Sequence, residues 1–114
     1  MVDRVDAVFT PTDNVVMTAE AAVAEILNEA GIPHYTGADS FVQAGAFTTC
    51  GVNYTELGQK VAQMTVDVLT GGSVPTDFVV MDGGIITVNT ATAQKVGVDY
   101  APFSDMANTV VEVQ

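Results

Sequence analysis

The side chains best suited to chemistry stand close together near the start of the chain. Residues 6–14 read Asp-Ala-Val-Phe-Thr-Pro-Thr-Asp-Asn, which puts two hydroxyls, a carboxylate and an amide at Thr10, Thr12, Asp13 and Asn14. Such a set can hold a small polar solute by hydrogen bonds and charge. It has no nucleophile with an adjacent base, and the chain shows no Ser-His-Asp set, phosphate loop or metal cluster. Cys50 is the only cysteine and His34 the only histidine. One thiol makes neither a zinc site nor an intrachain disulfide. Its setting, between Thr49 and Gly51 in an apolar run, predicts a small buried core residue. His34 follows Pro33 in an expected strand, with no carboxylate at helical spacing from it.

The elements that must position these residues follow from the apolar pattern. Val5, Ala7, Val8 and Phe9 make a run of the length of a buried strand, and Pro11 breaks it. A helix is predicted over residues 15–30. Val16, Ala19, Val23, Ile26, Leu27 and Ala30 form its apolar stripe, and Glu20, Glu25 and Glu29 lie off it. Gly31 and Pro33 stop it. Residues 32–35 read as a second strand, so residues 4–36 predict a parallel βαβ unit. The turn after it, residues 36–40, then lies on the same sheet edge as Asp13 and adds Asp39 and Ser40. In an open α/β sheet, ligands sit at that carboxyl edge of the strands. Asp13 and Asn14 are equally good helix N-caps, and Asp39-Ser40 equally suits an Asx turn.

Further along, residues 41–44 predict a single helical turn and residues 46–52 a third apolar strand. A second long helix is predicted over Tyr54–Leu69, with Leu57, Val61, Met64 and Val68 on its stripe. Asn53 is its expected N-cap and Glu56 stands at the capping-box position. Gly71 and Gly72 end it. Residues 78–81 read as extended, 82–84 as a turn and 85–88 as a strand. A short helix is expected over residues 90–95, with Gly97 as its stop. From 98 to 114 the pattern weakens: Pro102 and Ser104 suggest a surface tail, with residues 110–113 as an edge strand.

Size and charge narrow the function. The 114 residues suffice for one domain with a real core. An apolar fraction of 48% favours a globular chain over a disordered one. Three basic residues against 14 acidic ones give a formal charge of −11. That balance argues against nucleic acid, whose phosphates need Lys and Arg, and against anionic membrane surfaces. No apolar run reaches the length of a membrane span. The N-terminus, Met-Val-Asp-Arg, lacks the apolar segment of a signal peptide.

Four segments together resemble a known family: residues 6–14, Ala30-Gly-Ile-Pro33, Gly51-Val-Asn-Tyr-Thr-Glu-Leu-Gly58 and Val88-Asn-Thr-Ala-Thr-Ala93 with Gly97. The chain is similar, over about residues 4–100, to the C-terminal part of the substrate-binding proteins of ABC importers, in the subfamily that binds tryptophan or tyrosine. The resemblance implies an α/β, three-layer, parallel-sheet Rossmann-like lobe of a type I periplasmic binding protein. Such proteins are much longer and have two lobes with a ligand cleft between them. By the same analogy, residues 4–52 are the second-lobe βαβ part with a crossover strand, and 53–72 is a helix of the first lobe. Residues 73–100 return to the second lobe, and 101–114 is a tail. A lipoprotein signal would lie upstream.

For this family the expected ligand is an amino acid or similar small solute, and no enzyme activity or cofactor is implied. Asp13 is the residue expected to pair the ligand ammonium. Thr10, Thr12 and Asn14 would supply neutral donors and acceptors, Asp39 and Ser40 would flank them, and Asn53 and Tyr54 would lie near the hinge. The implied partners are that ligand and, through the full-length protein, a transporter permease. A 114-residue fragment is expected to form a homo-oligomer that covers the stripe of the second long helix. Two other readings share the fold. A receiver-like signalling domain needs an acidic pair at the end of the first strand, where this chain has Thr10-Pro11, and a lysine at a late strand end. The ligand-binding core of a transcription regulator stays open, and the Pro-Thr-Asp-Asn turn favours the transporter class.

Overall fold

The computed structural model describes residues 2–73, 78–81 and 83–114. The chain divides into two compact units, Met1–Gly51 with Gly84–Gln114, and Val52–Gly83.

The larger unit is a five-stranded sheet in the order β1-β2-β3-β4-β5, formed by Val8–Thr10, His34–Thr36, Thr48–Gly51, Ile85–Asn89 and Thr109–Val113. Strands β1, β2 and β3 run parallel, and β5 runs parallel to β4. β4 lies antiparallel to β3, because the chain leaves the sheet through β3 and re-enters beside it after the smaller unit. The expected parallel βαβ unit is present: Val8, Phe9 and Thr10 pair with His34, Tyr35 and Thr36. Between them runs α1, Asn14–Glu29.

The buried side of α1 is turned relative to the predicted stripe. Glu20, Ala24 and Leu27 are its buried residues, whereas Ala19 and Ala30 are exposed and Ile26 is 58% exposed. The half-buried Val16 and Met17 pack with Phe41, Ala38 and Ala46. Position 20 follows 16 by one helical turn and precedes 27 by two, so the inward stripe runs through a glutamate.

Residues 36–40, expected as a turn, instead lead into the helix α2, Asp39–Gln43, whose first turn holds Asp39 and Ser40. Phe41 and Val42 of α2 are buried. The helix α4, Thr90–Val96, is capped by Asn89 and stopped by Gly97 in the left-handed region at φ 71°. The C-terminal segment is more than a tail. Residues Phe103–Met106 form the short helix α5, and β5 is the expected edge strand, longer than predicted. Tyr100, Phe103 and Val110 pack on the cluster of Phe47, Val88 and Ala93, with the rings of Tyr35 and Phe47 edge-on at 5.6 Å.

The strands are rich in threonine because the hydroxyls have backbone partners. Thr36 donates to the Ala38 carbonyl at 3.2 Å, Thr48 to Thr87 at 2.9 Å and Thr49 to Thr36 at 2.7 Å. Each buried hydroxyl is thereby satisfied.

The smaller unit contains α3, Tyr54–Leu69, with the predicted bounds. The Asn53 side chain accepts from the Thr55 and Glu56 amides at 2.9 and 3.2 Å. Glu56 faces the Asn53 side-chain amide at 3.4 Å, a variant of the expected capping box. None of the α3 residues is buried. Residues 78–81 carry no strand. Residues 74–77 and Asp82, the latter in the expected turn, lie outside the described residues.

Candidate functional site

The sheet edge at the ends of β1 and β2 gathers six of the eight expected site residues. Thr10 ends β1 and pairs with Thr36, which ends β2. The Gly37 amide donates to the Thr10 carbonyl at 3.0 Å, stitching the two exits together. The exits press closely: a Cβ on Gly37 would stand 2.7 Å from Thr12 Oγ1 and 2.8 Å from the Thr12 amide nitrogen. Thr12, Asp13 and Asn14 on one exit and Asp39 and Ser40 on the other are all exposed.

Asp13 is the N-cap of α1: one of its carboxylate oxygens accepts from the Val15 and Val16 amides at 2.8 and 2.9 Å. Its second oxygen makes neither of these bonds. Asp39 lies in the first turn of α2, which has no side-chain cap. The edge therefore presents two acidic side chains amid hydroxyl and amide groups, an arrangement suited to a small cation with further hydrogen-bonding groups. Asn53 and Tyr54 open the smaller unit, where Asn53 caps α3 and Tyr54 is exposed.

Beneath this edge lies a pair that the sequence reading missed. Glu20 on α1 and His34 on β2 are both fully buried, with Glu20 Oε1 3.1 Å from His34 Nδ1. The contact falls outside hydrogen-bond geometry, and neither carboxyl oxygen has another partner among the described residues. On its other side His34 Nε2 lies 2.8 Å from Thr10 Oγ1. Burial pushes the Glu20 carboxyl up to about 7 and lowers His34 below its usual range. The signal was present in the spacing of Val16, Glu20, Ala24 and Leu27 around one buried face.

Cys50 corrects a second expectation, for it is exposed rather than buried. Strand alternation turns it away from Thr49 and onto the face that carries Tyr35 and Ile86. With Phe9, Phe103 and Met106 these residues line an apolar trough of about 550 Å³. Among the described residues no group of three His, Cys, Asp or Glu side chains could hold a metal ion.

A mostly parallel sheet with helices on it and polar helix-start turns at one edge makes this an α/β domain, and comparison with known proteins gives its family. The family model for ABC transporter substrate binding proteins matches residues 1–107, and the chain belongs to that family. A tyrosine-binding protein of Clostridioides difficile strain R20291 is 34% identical over 74 residues, which is 65% of this chain and 21% of the relative. The ligand-free, open structure of a substrate-binding protein with adhesive properties from Clostridium difficile covers 99% of this chain at 31% identity and a TM-score of 0.76. A Streptococcus pneumonia ABC domain in complex with L-Trp covers 97% at 26% identity and a TM-score of 0.71. The chain spans only 38% of each of those two structures. The fold is accordingly that of a periplasmic binding protein, and members of this family are binding proteins rather than enzymes.

Proposed function

We propose that this chain is part of the substrate-binding component of an ABC importer and helps hold an amino acid, with tyrosine or tryptophan the favoured class. The observation that carries the reading is the juxtaposition of Thr10, Thr12, Asp13 and Asn14 with Asp39 and Ser40 at one sheet edge. In this reading Asp13 pairs the ligand ammonium through the oxygen not used in capping. Thr10, Thr12, Asn14 and Ser40 make the neutral hydrogen bonds, and Asp39 adds to the negative field. In this reading residues 53–72 belong to the first lobe and residues 4–52 and 73–100 to the second; the compact unit Val52–Gly83 supports setting the 53–72 helix apart, while it also takes in residues 73–83. Asn53 and Tyr54 then approach the ligand from the hinge of an interlobe cleft. The relatives that bind tyrosine and L-Trp support the ligand class. The protein would work outside the cytoplasm, in the periplasm or anchored at the cell surface, and deliver its ligand to a permease.

The test is calorimetric titration of L-tyrosine and L-tryptophan into a two-lobed protein carrying this chain, wild type and Asp13→Asn. Losing one partner of a desolvated charge pair costs about 2 to 5 kcal/mol in binding. Asparagine still caps the helix, so the melting temperature is expected to stay in place. Unchanged affinity in the variant would show that Asp13 only caps α1.

A further inference from the structure

The buried Glu20–His34 pair has no role in the site as described so far, yet it touches Thr10. Its proton inventory is limited by geometry. Among the described residues, neither Glu20 oxygen nor His34 Nδ1 has a hydrogen-bond partner; Glu20 Oε1 and Nδ1 lie 3.1 Å apart, close enough for a small reorientation to put a proton between them, and Nε2 has Thr10. A buried carboxyl group without donors is strongly driven to keep a proton close by.

We propose that Glu20 and His34 are positioning residues that share one buried proton, and that its presence or absence sets which hydrogen bond Thr10 offers at the ligand edge. When the pair holds the proton, it lies between the carboxyl group and Nδ1. Whichever side it sits on, Nε2 carries its own hydrogen and donates to Thr10 Oγ1. The Thr10 O–H is then free to donate outward, to an acceptor such as the ligand carboxylate. When the pair loses the proton, the remaining imidazole hydrogen moves to Nδ1 to face the carboxylate. Nε2 is then bare and accepts from Thr10, which leaves Thr10 with only lone pairs to offer. The net loss is one proton to solvent: the Nε2–H bond breaks, the shared hydrogen ends on Nδ1, and the Thr10–Nε2 hydrogen bond reverses direction.

The other charged groups on the packed elements lie at the surface. Glu25 and Glu29 on α1, Asp39 on α2 and Lys95 on α4 are exposed, as is Asp13 at the cap. β1 carries no ionisable side chain; Tyr35 on β2 and Cys50 on β3 belong to the opposite face of the sheet. With the Glu20 carboxyl pushed up to about 7, the switch falls in the neutral range. The ligand part of the inference rests on the proposed function; the tautomer change does not.

The test has two arms. Nitrogen NMR of the His34 ring in the 114-residue chain, followed from pH 5.5 to 8.5 without ligand, is expected to show the neutral ring's hydrogen moving from Nε2 to Nδ1. In Glu20→Gln the side-chain amide donates to Nδ1, so the ring is expected to stay Nε2–H throughout. A wild-type ring that keeps one tautomer over the whole range overturns the proposal. In the second arm, L-tyrosine affinity of the two-lobed protein is expected to fall about 2- to 10-fold from pH 6 to pH 8, the size of one hydrogen bond. Glu20→Gln is expected to keep the acid-side affinity at both. Identical pH profiles in wild type and variant overturn the ligand coupling. If L-tyrosine and L-tryptophan do not bind at all, the functional reading fails while the ring nitrogens still decide the switch.

Discussion

At the scale of the residue, Glu20 and Gly37 show how the sheet edge is held. Glu20 keeps its proton in the folded chain up to about pH 7, whereas an unfolded glutamate loses it near 4.5. The folded state binds more protons across that window, so this contribution to stability is complete below pH 4.5 and is lost as pH rises through 7. His34 acts in the opposite sense. Its value is lowered, so its contribution is present above its usual 6.5 and is lost as pH falls through the folded value. Glu20→Gln removes the titrating carboxyl from the pair. Denaturant melts are therefore expected to show the variant gaining on wild type as pH rises from 4.5, by about 3 kcal/mol at pH 8. Gly37 is a matter of space. An added methyl meets the Thr12 backbone and hydroxyl inside 3.0 Å, so the two strand exits must part. Gly37→Ala is expected to cost about 1 to 3 kcal/mol in thermal melting and to weaken ligand binding through the displaced Thr12.

At the scale of the element, Asn89 joins three pieces of the larger unit. It ends β4, its Oδ1 accepts from the Thr92 amide at 2.9 Å to cap α4, and its Nδ2 donates to the Val42 carbonyl at 3.1 Å where α2 ends. Thr92 Oγ1 continues the link to the Gly45 carbonyl at 2.9 Å. Asn89→Ala would lose a cap and one donor to the Val42 carbonyl, which keeps the Gly45 amide at 3.1 Å, for an expected loss of about 1 to 3 kcal/mol. Asn89→Asp keeps the cap acceptor but sets a buried carboxylate against the Val42 carbonyl, and is expected to melt no higher than Asn89→Ala at neutral pH. The Asn-Thr-Ala-Thr segment was legible as a family mark, but its function as a junction needed the fold. Other elements were readable for plain reasons. β1, α1, β2 and α3 announce themselves through period, caps and glycine stops, and with them the edge that carries Thr10 to Asn14. The inward face of α1 was misread because a glutamate was assigned to solvent by type, and its partner lies on another element. The place of Cys50 was misread because an apolar run does not say which strand face is left open. α5 and the full β5 were weak in sequence because their packing is long-range, through Phe103 and Val110 onto Phe47 and Val88.

At the scale of the whole chain, two elements of the fold leave apolar surface uncovered among the described residues. One is the sheet face around the trough, where Phe9 is 68% and Met106 73% exposed. The other is α3, where Val61 and Val68 of the predicted stripe are 56% and 50% exposed and Leu69 at the helix end is 80% exposed. Monomeric proteins rarely leave contiguous apolar patches of this kind open to water. The driving force scales with the area removed from water, about 25 cal/mol for each Å², so pairing either face between copies is favourable. Charge opposes this: at −11 the copies repel, and that repulsion weakens as salt shortens the screening length. The isolated 114-residue chain is therefore expected to self-associate, more strongly at high salt than at low. Light scattering across a concentration series reads this directly. Val61→Lys with Val68→Lys places charge in the α3 stripe and is expected to shift the equilibrium toward monomer, while Phe9→Lys does the same if the sheet face is the contact. A wild-type chain that remains a folded monomer at millimolar concentration in high salt would show that neither surface drives assembly.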